Sequence, residues 1–231
     1  MVLITRRSAF AITSLAATGE FLSACGKRDE ASEGDVSATE DLMREHGVLR
    51  RLLVVCRESA ALLTSGATDF DARALASAAD LFKTFGEDYH ERKLEEQHIF
   101  PTVRNAGGEA AALIDALLVQ HQRGREITSY IKSTCASGSV ASGAVAPLAA
   151  ALVSFARMYE VHAAYEDTIV FQAWKKALSP EQLRETGEQF EDIERDQFHG
   201  DGFDQAVDEV LQIEQRLGVH DLARYTARAP D

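Results

Sequence analysis

The chain has little that breaks a helix and little that staples a fold. Four prolines, one tryptophan and three cysteines are spread over 231 residues. The cysteines stand in separate segments, so neither a C-x-x-C pair nor a zinc-finger spacing arises. Cations are scarce beside anions: 24 Lys and Arg face 37 Asp and Glu, for a formal net charge of −13. Nucleic-acid binding needs basic side chains against phosphate, so this chain is a poor candidate for it. No internal apolar run is expected to reach the length of a membrane span. No alternating pattern suggests strands. What fills the chain is 45% hydrophobic residues, in long stretches rich in Ala, Leu, Glu and Arg, the composition of helices.

The first 25 residues read as an address. Arg6 and Arg7 precede a moderately apolar stretch, Ala9 to Leu22, interrupted by Glu20. This resembles a twin-arginine export signal. It ends in Leu22-Ser23-Ala24-Cys25, similar to a bacterial lipobox. The expectation is an exported protein on the periplasmic or cell-envelope side, tethered by lipid at Cys25. The alternative is an ordinary cleaved signal in which Cys25 is incidental. Twin-arginine export carries folded proteins, often with a cofactor. Residues 26–36 then form a polar tether.

Start and stop signals divide the rest. Ser37 to Glu40 reads as a capping box, followed by Leu42, Leu49, Leu52, Leu53 and Cys56 at helical spacing. Thr64-Ser65-Gly66 ends that helix. Asp69 is expected to cap a second helix, with Phe70, Leu75, Ala78, Phe82 and Phe85 inward, stopping between Pro101 and Gly108. A third runs from about Glu109 to Ser133, with Leu113, Leu117, Leu118 and Ile127 inward. A fourth follows the loop Ser137 to Ser142, from about Ala146 to Leu178. Ser179-Pro180-Glu181-Gln182 opens an acidic helix to Phe198. Gly200-Asp201-Gly202 breaks it, and a short helix ends near Leu217. The fold expected is all-α: an up-down-up-down four-helix bundle over 37–178, with an acidic helical C-terminal extension over 179–231.

The bundle contains an internal repeat. The first half carries His46 on its first helix and His90 on its second; the second half carries His121 and His162 at nearly the same separation. After His90 come Glu95-Glu96 and Phe100; after His162 come Glu166-Asp167 and Phe171. Duplication explains a shared core pattern, but not why the shared residues are His and Glu. His162 and Glu166 are four apart, on one helix face. Four histidines and two carboxylates pointing into one bundle would build a binuclear metal site. Imidazole with carboxylate suits iron or manganese, and the absence of thiolates argues against structural zinc. Glu96, Asp167 and His199 are expected to be solvated, as lone polar residues on acidic helices.

At these residues the sequence resembles the hemerythrin-like family of HHE cation-binding domains. The resemblance covers about Asp41 to Leu178. It is strongest in Glu95-Glu96-Gln97-His98-Ile99-Phe100-Pro101 and His162 to Phe171, then in Arg44-Glu45-His46 and Gln120-His121. It implies a bundle holding two non-haem iron ions, bridged by carboxylate and oxygen, with manganese also compatible. Family roles include reversible oxygen binding, oxygen or iron sensing, nitric oxide handling and iron delivery.

Two departures matter. The family's usual second-helix spacing is His-x-x-x-Glu, but four after His90 is Leu94. Glu95 is five after it, about 140° round a regular helix. Either a π-bulge takes up the extra residue, or Glu91 supplies a ligand in place of one imidazole. The candidate ligands are therefore His46, His90, Glu91, Glu95, His121, His162 and Glu166. His98 shares a face with Glu91 and Glu95 but matches Ile169 in the repeat, so it is read as packing or outer-sphere. The second departure lies on the third helix. Oxygen carriers of the family have two histidines there, four apart; here Leu117 and Arg125 flank His121 at that spacing. Fewer imidazoles and more carboxylates favour the oxidised metal and an open coordination position. That weakens simple oxygen carriage and strengthens sensing or redox chemistry.

Tyr89 and Tyr165, beside candidate ligands, are expected to be core packing, with an outer-sphere hydrogen bond as the sharper alternative. Cys56 and Cys135 are expected to be small buried apolar residues. Three functions fit the pattern. The first is a di-iron protein that binds or senses oxygen or nitric oxide. The second is a di-iron oxidase, peroxidase or nitric oxide reductase. The third is a metal-free helical interaction protein whose C-terminal extension docks a partner.

Overall fold

The structure is a computed structural model that describes residues 36–67 and 70–230. The export signal, Cys25, the tether up to residue 35 and Asp69 lie outside the described residues. Val36–Asp231 cluster as one compact unit.

Four helical rods form the bundle. The first is α1 (Ala38–Thr64). The second is continuous through α2 (Ala72–Leu81), a π-helical segment π1 (Phe82–Ile99) and α3 (Phe100–Ala106). The third is α4 (Gly108–Cys135). The fourth runs through α5 (Ser142–Tyr165), a π-turn π2 (Glu166–Val170) and α6 (Phe171–Ala177). Two further helices, α7 (Pro180–Phe198) and α8 (Gly202–Arg216), and a 3₁₀ turn (Leu222–Tyr225) complete the chain. Among the described residues there is no strand.

The caps follow from side-chain chemistry. Ser37 Oγ accepts the Glu40 N–H at 3.3 Å. The cap of α2 is Asp71, whose Oδ1 accepts the Ala74 N–H at 3.0 Å. Ser179 and Gln182 form the reciprocal box, with bonds of 3.2 and 2.9 Å. The fourth rod begins at Ser142, earlier than Ala146, and takes Pro147 into the helix. That costs little here, because Pro147 is exposed near the open end, where water can serve the carbonyl its missing N–H leaves free.

The rods bury Leu75, Phe82, Phe85, Leu94, Phe100, Leu148, Leu152, Phe155, Phe171 and Trp174. On α4 Ile114, Leu117, Ile131 and Cys135 are buried, whereas Leu113, Leu118 and Ile127 are half-buried at the seam. Cys56 and Cys135 are free and buried, as expected. By length and composition the run Ser142–Ala177 is apolar enough to cross a membrane, which the sequence reading missed. Its inner side supplies core residues and His162, Glu166 and Asp167.

The extension is fastened to the bundle. Arg51 donates twice to Glu214 of α8, at 2.8 and 2.6 Å. Phe190 of α7 stacks on Trp174 (5.8 Å, 6°), and Phe198 meets Phe85 and Tyr89. Most of the acidic stretch Glu188 to Asp196 stays at the surface.

Candidate metal centre

The second rod resolves the spacing conflict by winding as a π-helix, in which each N–H reaches back five residues rather than four. The Phe100 N–H donates to the Glu95 carbonyl. Residues five apart then stack, and His90 Nε2 lies 3.4 Å from Glu95 Oε1. The expected single bulge is in fact a π-segment of 18 residues. The fourth rod makes a shorter version at the matching place, where the Phe171 N–H donates to the Glu166 carbonyl. In each half the phenylalanine stacks on a histidine of the other half: Phe100 on His121 at 5.5 Å and Phe171 on His46 at 5.3 Å.

All seven candidate residues are buried. Six converge through their inner atoms. The Nε2 atoms of His46 and His90 lie 3.0 Å apart, and those of His121 and His162 lie 3.2 Å apart. Glu95 stands between the pairs, with Oε2 3.3 Å from His121 Nε2. Glu166 does the same from the other side, its Oε2 lying 3.6 Å from His46 Nε2 and 3.0 Å from His162 Nε2. Donors about 2.1 Å from one ion lie roughly 3 Å apart, so these separations suit coordination. Two groups could hold an ion: His46, His90 and Glu95, and Glu95, His121, His162 and Glu166.

Each imidazole is aimed by a bond to its other nitrogen. His46 Nδ1 donates to Asp167 at 2.7 Å, and His90 Nδ1 to Glu45 at 2.5 Å. His121 Nδ1 donates to Glu96 at 2.9 Å, and His162 Nδ1 to Gln120 at 2.8 Å. With the proton on Nδ1, the Nε2 lone pairs turn to the centre. Asp167 and Glu96 are therefore paired acids rather than free surface charges. Asp167 is buried and paired with Arg50, and Glu96 bonds Arg125 at 2.5 Å. Tyr89 donates to Glu45 at 2.9 Å, the sharper of its two expected roles. Tyr165 is exposed, and so is His199, which ends α7. His98 lies at the edge of Phe190, away from the cluster.

Glu91 belongs to neither of the two groups. Its Oε1 accepts the Tyr159 hydroxyl at 2.7 Å, and its Oε2 lies 3.1 Å from Arg125 Nη2 and 3.9 Å from His121 Nδ1. Glu91, Glu96 and His121 also converge, but the Arg125 guanidinium already occupies the cation's place there. Gly124 lets Tyr159 approach: a Cβ at that position would stand 1.9 Å from the hydroxyl oxygen.

The electrostatics call for positive charge. All four carboxylate oxygens of Glu95 and Glu166 are buried and accept no hydrogen bond, a costly condition for an anion without a cation. Burial opposes charge on His90, yet Glu95 and Glu45 overcome it and raise its pKa well above the ordinary value. Burial likewise opposes charge on His121, but Glu91, Glu95 and Glu96 push it up to about 10. Burial and the charge of His121 push His162 down to about 4. Burial pushes Glu95 upward, but His90 and His121 hold it well below the carboxylate range. Burial and the charge of Glu95 raise Glu166 well above it. Cations at the centre would remove this conflict.

A cavity touches the cluster. It is lined by Leu49, Arg50, Leu53, Tyr159 and Ala163 in addition to His46, His90, His162, Glu91, Glu95 and Glu166. Its volume is about 10 Å³, room for about one water-sized group. A groove of about 430 Å³ between α3 and α4 reaches the cluster only through Glu96.

The hemerythrin HHE cation-binding domain model matches residues 37–174. The chain belongs to this family. Its buried His and Glu cluster marks it as a metal-binding helical protein of that family. Among its relatives are uncharacterized proteins of Mycobacterium bovis and Mycobacterium tuberculosis, each 38% identical over 235 residues, covering 96% of this chain and 91% of theirs. No solved structure gives a significant match to this hemerythrin-like chain.

Proposed function

We propose that this protein binds two iron ions in adjacent positions that share Glu95 and Glu166, and uses the pair to bind or sense oxygen or nitric oxide. One observation carries the reading. Four buried carboxylate oxygens accept no hydrogen bond, and three of them face the Nε2 atoms of the four histidines. His46 and His90 serve one position and His121 and His162 the other, while Glu91, held by Tyr159 and Arg125, lies outside both. Imidazole with carboxylate suits iron, and manganese fits the same donors. When bound, the pair supplies a Lewis-acidic, redox-active site for a small ligand. The chain supplies ring orientation through Asp167, Glu45, Glu96 and Gln120. Leu49, Leu53 and Ala163 give the cavity an apolar wall, and its volume of about 10 Å³ excludes a bulky substrate. Arg6, Arg7 and the Leu22 to Cys25 segment support export and a lipid tether at Cys25, and we propose both.

The test is an optical spectrum of the purified protein, loaded with ferrous iron without air and then exposed to air. Charge-transfer bands that appear and vanish on deoxygenation identify a reversible oxygen binder. Bands that appear once and persist contradict oxygen carriage and favour a sensor or a redox enzyme. Absence of iron bands overturns the di-iron reading.

A further inference from the structure

Carboxylates join the inner cavity to the outer groove on one side of the centre. The groove of about 430 Å³ between α3 and α4 has Glu96, Phe100, Asn105 and Leu118 on its wall. Arg104, also there, is paired with Asp115. A divalent ion with about six waters, each of roughly 30 Å³, fits that space. The inner cavity of about 10 Å³ admits only an ion stripped of most of its water. Between the two stand Glu96, whose side chain is 26% exposed, and the buried Glu91, which lines the inner cavity beside Glu95 and Glu166. A single nitrogen, Arg125 Nη2, fills the space between these acids, 2.5 Å from Glu96 Oε1 and 3.1 Å from Glu91 Oε2. The buried Arg125 Nε has no hydrogen-bond partner among the described residues, so that edge of the guanidinium fork is unfastened. The other half has no matching ladder. There Ala163 follows His162 where Glu91 follows His90, and Asp167 is buried. Arg50 itself lines the inner cavity on that side, where its charge repels a cation.

We propose that divalent metal ions enter the centre from the groove by way of Glu96 and Glu91, and that Arg125 closes this route between passages. The ion rests between the two acids in the place of Arg125 Nη2, then passes to Glu95 and Glu166. Each carboxylate replaces part of the ion's water shell, so dehydration is spread over several steps rather than taken at once. Arg125 is already a cation at the resting place, so an ion that displaces it meets two acids positioned for positive charge. The net charge of −13 draws cations toward the groove at long range. The class of ion is a divalent first-row metal that accepts oxygen and imidazole donors. The route gives a task to Glu91, which lies outside both ion positions yet faces the inner cavity. The proposal rests on the metal centre described under the proposed function.

The test mixes the metal-free full-length protein rapidly with cobalt(II), whose bound form is followed by its optical bands, and counts the ions retained after desalting. Glu91→Gln is expected to slow uptake about tenfold and to keep the wild-type final count. Leu118→Lys, which sets a cation on the groove wall, is expected to slow uptake by a similar factor. Val153→Lys adds the same charge at an exposed site on α5 outside the groove and is expected to load at the wild-type rate. Arg125→Gln is expected to load faster and to retain one ion more than the wild type, between Glu91 and Glu96. If Arg125→Gln does not fold, the other three variants decide. A wild-type rate in Glu91→Gln, equal slowing in Leu118→Lys and Val153→Lys, or an Arg125→Gln protein with wild-type rate and count overturns the route alone. A wild-type protein that retains no ion overturns the metal centre and the route with it.

Discussion

His90 and Glu95 are five residues apart, yet their Nε2 and Oε1 atoms lie 3.4 Å from each other. A regular helix would turn them about 140° apart; π-winding brings them to one face. Glu95 also reaches His121, so a single carboxylate touches both candidate ion positions. It belongs to both groups that could hold an ion, whereas His46 belongs to one and His162 to the other. Replacement of Glu95 by Ala is therefore expected to lose both ions. His46→Ala and His162→Ala are each expected to lose about one. Elemental analysis of the purified variants checks this, and equal losses in all three would contradict the shared role of Glu95.

The outer acids are expected to matter nearly as much as the ligands. Asp167→Asn and Glu96→Gln each remove a charged acceptor from an imidazole Nδ1–H. Changes of this kind cost about 10–100-fold in metal affinity. A chelator competition titration measures the effect; an affinity within twofold of wild type would show that these bonds do not tune the centre.

Much of this could be read in the sequence, and the rest was hidden for definite reasons. Capping chemistry located the ends of α1 and α7, and the duplicated His and Glu pattern located the inner atoms of the site. The one-residue offset of His90 pointed to π-winding, though not to its length, which depends on packing along the whole rod. Glu96 and Asp167 were misread because each was judged alone on an acidic helix. Read in the repeat, the two acids occupy matching positions, and the matching arginines Arg50 and Arg125 are the signal that they are paired. Glu45 and Gln120 also match, each directly preceding a histidine, but their bonds run to His90 and His162 on other rods. Only the tertiary arrangement shows that. Tyr159 carried no local signal, since its contact with Glu91 depends on the gap left by Gly124.

That gap gives a stability prediction. Alanine is a better helix former than glycine by about 1 kcal/mol. At position 124, however, the added Cβ meets the Tyr159 hydroxyl, in a ring flanked by Phe82 and Phe155. Overpacking of this kind costs about 1–3 kcal/mol. Gly124→Ala is expected to be net destabilising in denaturant unfolding, and Gly124→Ala with Tyr159→Phe less so. A stabilised single variant would contradict the contact.

The junction of bundle and extension predicts a pH dependence. Burial, then the charge of Glu45, raises Asp41 to about 6. Burial, with Glu45, Asp201 and Asp41, raises Glu194 to about 7, although the Phe203 N–H bond opposes this. Both groups bind protons more tightly folded than unfolded. Their contribution to stability is therefore full below the unfolded values of about 4 and is lost as pH rises through 6 and 7. Thermal melts of wild type and Glu194→Gln should diverge between pH 5 and 8, with the wild type falling more steeply. Parallel curves would mean that Glu194 does not titrate in that window.

The most direct test of the account is the number of irons that one chain retains. The protein is loaded with ferrous iron without air, desalted, and assayed for iron and protein together. Two irons per chain in the wild type, falling toward none in Glu95→Ala, is the predicted result. One iron or none in the wild type would contradict a centre in which Glu95 and Glu166 are shared between two ions.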